Sequence, residues 1–168
     1  MAWQDPNFND SAWATGNGEF GFGDGTETTT IDFGGDPANK HITTYFRKDF
    51  FSGNFDSATL RVRRDDGIAI YINGTEVGRD NLPVGPIGYQ TTSLTFLDGP
   101  AETEFIEFNI PGSLLVAGLN TIAVEVHQSS GTSSDLRFDA QLTGTILCLL
   151  YTSPSPRDAT LSRMPSSA

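Results

Sequence analysis

Residues 63–78 read Arg63-Arg64-Asp65-Asp66-Gly67-Ile68-Ala69-Ile70-Tyr71-Ile72-Asn73-Gly74-Thr75-Glu76-Val77-Gly78. Isoleucine recurs at every second position from Ile68 to Ile72, which is the period of a β-strand with one buried face. The Asn73-Gly74 pair that follows accepts positive φ angles at both central positions of a type I′ turn, and residues 75–78 lead the chain back. This stretch therefore predicts an antiparallel β-hairpin.

Short alternating segments of this kind recur along the chain, and no long apolar pattern of helical period accompanies them. The predicted strands are 41–50, 58–64, 68–72, 75–78, 93–97, 105–110, 121–127 and 136–142. The segment from Pro111 to Asn120 predicts a compact crossover with one helical turn, in which Gly118 and Asn120 suit left-handed backbone. The chain contains 18 Gly and 9 Pro, and together with the short strands this composition predicts an all-β fold of two packed antiparallel sheets.

The first forty residues combine turns with aromatic side chains. The segment from Phe8 to Trp13 predicts an Asp-capped turn that places Trp13 in the core. Phe20, Phe22 and Phe33 lie in and just after a glycine-rich run. We expect burial of these rings to anchor the run.

The chain is acidic, with 21 Asp and Glu against 10 Lys and Arg and a net charge of −11. A surplus of carboxylates repels phosphate backbones, so nucleic acid is excluded as a partner. Arg61, Arg63 and Arg64 form the basic cluster, for which pairing with neighbouring acids is favoured and a phosphate or sulfated-sugar site is the alternative. No run of about 18 apolar residues occurs, so no membrane span is predicted.

The composition changes near residue 146. Residues 1–146 are predicted to form one domain, long enough for a single hydrophobic core. Residues 147–168 are rich in Ser and Pro, contain the single cysteine, Cys148, and resemble translated sequencing-adapter read-through. We therefore predict a non-native or disordered tail, with a Ser/Pro linker to a further domain as the alternative. No disulfide or cysteine–metal site is predicted in residues 1–146.

Four segments form an ordered set of landmarks between residues 3 and 144. They are Phe8-Asn9-Asp10-Ser11-Ala12-Trp13, Thr44-Tyr45-Phe46-Arg47-Lys48-Asp49-Phe50, Ile70-Tyr71-Ile72-Asn73-Gly74-Thr75-Glu76-Val77-Gly78 and Leu115-Val116-Ala117-Gly118-Leu119-Asn120-Thr121-Ile122-Ala123-Val124-Glu125-Val126. Together they resemble the galactose-binding-like jelly roll, notably the sugar-binding domain of family 2 glycoside hydrolases. This resemblance implies an antiparallel jelly-roll sandwich with a carbohydrate-related role.

The chain is also similar to accessory modules of large secreted bacterial proteins, which implies an extracellular or cell-surface location. Asp65-Asp66-Gly67, followed by Ile70-Tyr71-Ile72-Asn73-Gly74, is similar in part to PA14 lectin-like domains. In some members of that family, adjacent aspartates hold Ca²⁺ that bridges to sugar hydroxyls. The resemblance implies that Asp65 and Asp66 are candidate ligand residues.

The sequence contains no recognisable motif for catalysis or for nucleotide binding. Residues 16–21 satisfy G-x-G-x-x-G, but they neither follow a predicted buried strand nor open a predicted helix. His41 and His127 are the only histidines. Neither lies in a recognisable frame with a second His, a Cys or a catalytic Ser. We therefore expect no enzymatic activity, and a free-standing hydrolase is the disfavoured alternative.

Candidate binding residues come from the predicted loops. Sugar recognition needs an aromatic face for C–H groups and planar polar side chains for hydroxyls. Trp3 and Tyr89 are the aromatic candidates, because Trp13 is assigned to the core. For His127, the alternative role is a hydrogen bond to Asp135 or to a backbone carbonyl that organises the loop 128–135. The candidate ligand-binding residues are Asp65, Asp66, Arg79, Asp80, Asn81, Tyr89, His127 and Asp135.

These candidates fall into separate groups. Residues 79–81 follow the hairpin, whereas Asp65 and Asp66 precede its first strand, so we expect the two groups at opposite ends of the sandwich. Turn carboxylates supply the oxygen ligands that Ca²⁺ prefers. The candidate metal ligands are Asp5, Asp10 and Asp24, with Asp65 and Asp66 as the alternative pair.

The sequence thus predicts a non-catalytic carbohydrate-binding accessory module of a secreted multidomain protein. This prediction rests on the fold resemblance and on the absence of catalytic motifs. Structural Ca²⁺ is the one candidate cofactor. The alternative is a structural spacer or protein-interaction module of an extracellular protein with no small ligand. Neighbouring domains of a longer protein are expected partners in both cases.

Overall fold

The computed structural model describes residues 2–146, which form two β-sheets. The strands are β1 (Phe20–Phe22), β2 (Thr29–Thr30), β3 (Thr43–Ser52), β4 (Ser57–Asp65), β5 (Gly67–Ile72), β6 (Thr75–Asp80), β7 (Ile106–Pro111), β8 (Gly118–His127) and β9 (Leu136–Thr145). Helical structure within residues 2–146 is limited to α1 (Pro100–Thr103) and a 3₁₀ turn (Gly112–Leu114). Neither is long or apolar enough to cross a membrane. The predicted tail, 147–168, lies outside the described residues.

The two sheets confirm the predicted all-β sandwich. One sheet has five strands in the order β2-β1-β9-β4-β7, and the other has four in the order β3-β8-β5-β6. Every strand pair is antiparallel except β1 with β2. Strands β1 and β2 were not predicted, although Phe20 and Phe22 alternate around Gly21 as a strand requires.

The hairpin forms as the sequence predicts. Strands β5 and β6 pair with Ile72 opposite Thr75 and Ile68 opposite Asp80. Asn73 and Gly74 have φ angles of 50° and 83°, which are the positive values that a two-residue hairpin turn needs.

The hydrophobic core lies between the sheets and is built from side chains that alternate inward. Its buried members are Phe22, Ala58, Leu60, Val62, Ile68, Ile70, Ile72, Ile110, Val124, Val126, Leu136 and Phe138. Phe20 and Phe33 pack against this core, which confirms that aromatic rings anchor the glycine-rich segment. Burial of each large apolar side chain in this core contributes about 1.5–3 kcal/mol to the free energy of unfolding.

The outer face of the four-stranded sheet is covered as well. All six residues of β5 are buried, because a second cluster of apolar residues packs on this face. Its buried members are Ala69, Tyr71, Leu82 and Ala123, with Trp3 and Ile87 against them. The N-terminal segment and the loop 81–97 therefore form a third layer, which a single-faced strand pattern does not predict.

Two local predictions are wrong. Residues 93–97 form no strand, because their backbone N–H groups bond to side chains and loops instead of to a neighbouring strand. Thr95 N–H donates to Asn81 Oδ1 over 3.1 Å, and Leu97 N–H donates to Asp66 Oδ1 over 2.6 Å. Asn120 lies in β8 without positive φ, whereas Gly118 has φ 119° as expected.

The arginine cluster is paired with acids, as favoured from the sequence. Arg61 contacts Glu107 at 3.2 Å, Arg63 contacts Glu19 at 3.4 Å, and Arg64 contacts Asp80 at 2.5 Å. These pairs link neighbouring strands and loops. A separate anion site at these three arginines has no support in the structure.

Candidate functional site

A shallow, open cleft lies on the outer side of the four-stranded sheet, where β3 begins. Its volume is about 380 Å³. The cleft is lined by Trp13, Asp32, His41, Thr43, Thr44, Tyr45 and Tyr89. Three aromatic rings and several hydrogen-bonding groups therefore meet on one exposed surface.

Four separate segments bring these residues together, with Asp32 in the loop between β2 and β3. Tyr45 lies on β3 opposite Glu125 of β8. Trp13 comes from an N-terminal turn closed by its N–H to Asp10 O, 2.8 Å away, and its ring packs edge-on against Phe8 at 5.8 Å between ring centres. Tyr89 comes from the loop 81–97. The site thus depends on packing between segments that are distant in sequence.

Tyr89 is held in place by the start of β3. Its hydroxyl shares a 2.7 Å hydrogen bond with His41 Nδ1, and its backbone carbonyl accepts a 2.7 Å hydrogen bond from Thr43 Oγ1. The Tyr89 side chain still keeps substantial exposure, at 40%. It is therefore an anchored ring with an accessible surface, as a binding residue on a loop requires.

Asp32 and His41 supply the polar edge of the cleft. Asp32 is exposed, and its Oδ1 accepts a 2.8 Å hydrogen bond from Gly34 N–H. Gly34 has φ 102°, and a Cβ there would lie 2.9 Å from the His41 ring. Glycine at this position lets the loop pass close to His41 and keeps both polar side chains at the cleft.

A buried polar layer lies beneath the cleft. His127 is fully buried, with Nδ1 2.7 Å from Thr91 O and 3.0 Å from Thr43 Oγ1. Glu125 is 3% exposed and accepts a 2.6 Å hydrogen bond from the Tyr71 hydroxyl. Burial, the Glu125 charge and Tyr89 raise the pKa of Tyr45. His127 Nε2 lies 3.3 Å from Glu125 Oε2, so the cleft floor is built from buried polar side chains that contact one another.

Among the predicted binding residues, Tyr89 lines the cleft and His127 lies below it. His127 bonds to a backbone carbonyl, which is the organising role that the sequence left as the alternative. Asp135 does not bind His127: its carbonyl accepts from Gln128 Nε2 and its Oδ1 from Ser134 Oγ, at 2.8 and 2.7 Å.

The other predicted binding residues meet at one end of the sandwich, not at opposite ends. Asn81 Nδ2 lies 3.4 Å from Asp66 O, because the antiparallel hairpin returns the end of β6 to the start of β5. Arg79 is engaged by Glu76 and by two loop carbonyls, and Asp80 is engaged by Arg64. These side chains hold loops together, and they lie apart from the residues that line the cleft.

Asp65 and Asp66 are buried carboxyl groups, 2% and 1% exposed. Asp66 accepts backbone N–H groups with both oxygens, from Leu97 at 2.6 Å and Ser129 at 2.7 Å. Asp65 Oδ1 is buried and has no hydrogen-bond partner among residues 2–146. Burial and the neighbouring Asp66 carboxyl raise the pKa of Asp65 to about 9, so Asp65 is protonated at neutral pH.

The candidate metal ligands are not brought together. Asp5 caps a turn through Asn7 N–H, Asp10 pairs with Arg47, and Asp24 pairs with Arg137. Within residues 2–146, no group of three His, Cys, Asp or Glu side chains is placed to hold a metal ion. Ca²⁺ takes roughly six to eight oxygen ligands, so the Asp65–Asp66 pair alone does not fit it. Calcium binding stays a sequence-based prediction.

The two tryptophans lie in the opposite environments to those predicted from the sequence. Trp3, the aromatic candidate, packs on the second apolar cluster with its ring centre 4.6 Å from that of Tyr45. Trp13, assigned to the core, is half-buried and lines the cleft. Asp32 and Tyr45 were missed, although alternation along β3 places Tyr45 opposite the core-facing Phe46.

The fold and the cleft define an all-β sandwich domain with an open, aromatic-lined surface site. No protein-family model matches the chain, and no curated protein matches it significantly. Among solved structures, the chain is similar to native α-L-rhamnosidase from Aspergillus terreus, with a TM-score of 0.42 and 21% sequence identity. This match covers 64% of the chain and 13% of the rhamnosidase chain. A likeness at this level carries no conclusion about function.

Proposed function

We propose that this chain is a non-catalytic carbohydrate-binding module of a secreted multidomain protein, and that it binds saccharides in the cleft between Trp13 and Tyr89. One observation carries the proposal: aromatic rings and hydrogen-bonding side chains line the same open cleft. Sugar rings present apolar C–H faces and a rim of hydroxyls, and such a combination of groups recognises both.

The shape of the cleft also favours binding over catalysis. An enzyme site excludes water and aims ionisable groups at a reacting bond, whereas this cleft is shallow and open. Its histidine, His41, is held by the Tyr89 hydroxyl. The resemblance of four sequence segments to sugar-binding jelly rolls supports the same proposal. The secreted location follows from that resemblance alone.

Replacing Trp13 with alanine should weaken saccharide binding by at least about tenfold, because a large aromatic side chain that lines a binding site carries a large share of its binding energy. Tyr89→Phe should weaken binding less, since it keeps the ring and loses only the hydroxyl bond to His41. The measurement is a glycan array followed by calorimetry on the saccharides that bind.

Phe51→Ala is the matched control, because Phe51 is an aromatic residue with 82% exposure that does not line the cleft. Its affinity should equal that of the unchanged chain. Equal loss of binding in Phe51→Ala and Trp13→Ala would place the site elsewhere. Absence of saccharide binding by the unchanged chain, with and without Ca²⁺, would reject the proposed function.

The alternative is a spacer or protein-interaction module, and one observation favours it. Phe51 and Leu119 lie opposite each other on β3 and β8 and are 82% and 53% exposed. Val116, whose carbonyl accepts a 3.0 Å hydrogen bond from Ser52 Oγ, is 54% exposed. This apolar patch fits contact with a neighbouring domain of a longer protein. An unchanged chain that binds no saccharide would favour this function.

A further inference from the structure

The cleft contains a negative charge without a neutralising cation. Asp32 is exposed and makes no ion pair with any residue between 2 and 146. Among residues 2–146, no Lys or Arg side chain lines the cleft. A ligand bound there therefore meets one free carboxylate, and the described part of the chain offers it no Lys or Arg in the lining.

The nearest cations along the sequence are held elsewhere. Arg47, two residues beyond Tyr45, contacts Asp10 at 2.9 Å and also donates to Trp3 O, with its side chain 2% exposed. Lys40 donates to Ser133 O over 2.6 Å and lies near the Phe22 and Phe33 rings. Neither cation is free to bind an acidic ligand in the cleft.

The remaining lining adds to the negative potential. Aromatic rings carry negative faces that attract cations, and the cleft has Trp13, Tyr45 and Tyr89. Below them, burial and the Glu125 charge raise the pKa of Tyr45, and the Glu125 carboxylate contacts His127 Nε2 at 3.3 Å. His41 and His127 are the imidazoles beside the cleft: His41 Nδ1 shares a hydrogen bond with the Tyr89 hydroxyl, and His127 is fully buried below the surface.

We infer that the cleft selects amino sugars that carry a cationic amino group over neutral N-acetylated sugars and over uronic acids. The inference rests on the proposed saccharide-binding function and specifies its substrate class. The pairing of an unneutralised carboxylate, Asp32, with three aromatic side chains is the feature that carries it. An ammonium group on the sugar interacts with both, whereas a uronate is repelled by the carboxylate.

Calorimetry at neutral pH and low salt tests the inference with saccharides of matched length. The probes are an N-acetylglucosamine trisaccharide, the same backbone with trimethylammonium groups in place of the acetamides, and a galacturonic acid trisaccharide. We expect the cationic probe to bind about five- to tenfold more tightly than the neutral one, with the uronate weakest. High salt should reduce the difference, because Asp32 is exposed.

The substitution Asp32→Asn separates the effect of the Asp32 charge from the effect of its hydrogen bond. Asparagine keeps an oxygen that accepts from Gly34 N–H and removes only the negative charge, so neutral binding should persist while the preference for the cationic probe falls about threefold. Asp36→Asn is the matched control, because exposed Asp36 caps a similar turn through Ala38 N–H at 2.9 Å and does not line the cleft.

The outcomes separate the two proposals. Equal affinity for the neutral and cationic probes overturns the amino-sugar inference and leaves saccharide binding intact. A cationic preference that Asp32→Asn leaves unchanged also overturns it, because the charge would then act elsewhere. Absence of binding by all three probes, and by a broader glycan array, overturns the proposed function itself.

Discussion

Asp65→Asn should make the protein more stable at alkaline pH, by about 2–4 kcal/mol near pH 8. The folded chain raises the pKa of Asp65 from 3.8 to about 9, so the folded state holds a proton that the unfolded chain releases. Between about pH 4 and pH 9, stability therefore falls as pH rises. Asparagine carries no titrating proton and removes this slope.

Urea unfolding at several pH values across this window measures the effect. The variant and the unchanged chain should agree near pH 4 and diverge steadily above it. Asp36→Asn, in an exposed turn, should follow the unchanged chain throughout. Parallel pH profiles for the Asp65 variant and the unchanged chain would contradict the protonated assignment.

Asn120→Ala should destabilise the fold by about 3 kcal/mol, because it leaves several buried polar groups without partners. Asn120 is 1% exposed. Its Oδ1 accepts from Val116 N–H and Asn73 Nδ2, each at 2.9 Å. Its Nδ2 contacts Ser52 Oγ, Val116 O and Gly118 O at 2.9, 2.8 and 3.1 Å. One amide therefore joins the hairpin turn, the end of β3 and the crossover before β8.

Asn109→Ala provides the comparison, since Asn109 is an exposed asparagine in the strand β7. Its loss should change the free energy of unfolding by less than about 0.5 kcal/mol. The midpoints of urea denaturation of both variants measure the change in stability, provided that the dependence of the unfolding free energy on urea concentration is unchanged. A small effect of Asn120→Ala, similar to that of Asn109→Ala, would show that water replaces the amide in this network.

Much of the fold was predictable because it depends on local pattern. Alternating apolar residues identify β4, β5, β7, β8 and β9, and the Asn73-Gly74 pair identifies the hairpin. The failures are positions where side chains compete with backbone pairing. The segment 93–97 has strand-like composition, yet Asn81 and Asp66 bind its N–H groups.

The candidate site was far less predictable. Tyr89 was identified, but Asp32 and Tyr45 were missed and Trp13 was assigned to the core. These residues come from segments separated by up to 76 positions in the sequence, from Trp13 to Tyr89. No local signal reports that the N-terminal turn and the loop 81–97 pack on the same sheet face.

The sequence by itself determined the fold class, the hairpin and the inward-facing residues of most strands. These features follow from a two-residue period and from turn chemistry, which act between neighbours along the chain. Only the tertiary structure decided that a third layer covers the four-stranded sheet, that Asp65 and Asp66 are buried together with Asn81 beside them, and that Trp13 faces a cleft. These features depend on which surfaces pack against each other across long sequence separations. A periodic pattern reports only neighbours along the chain, so it does not predict that packing.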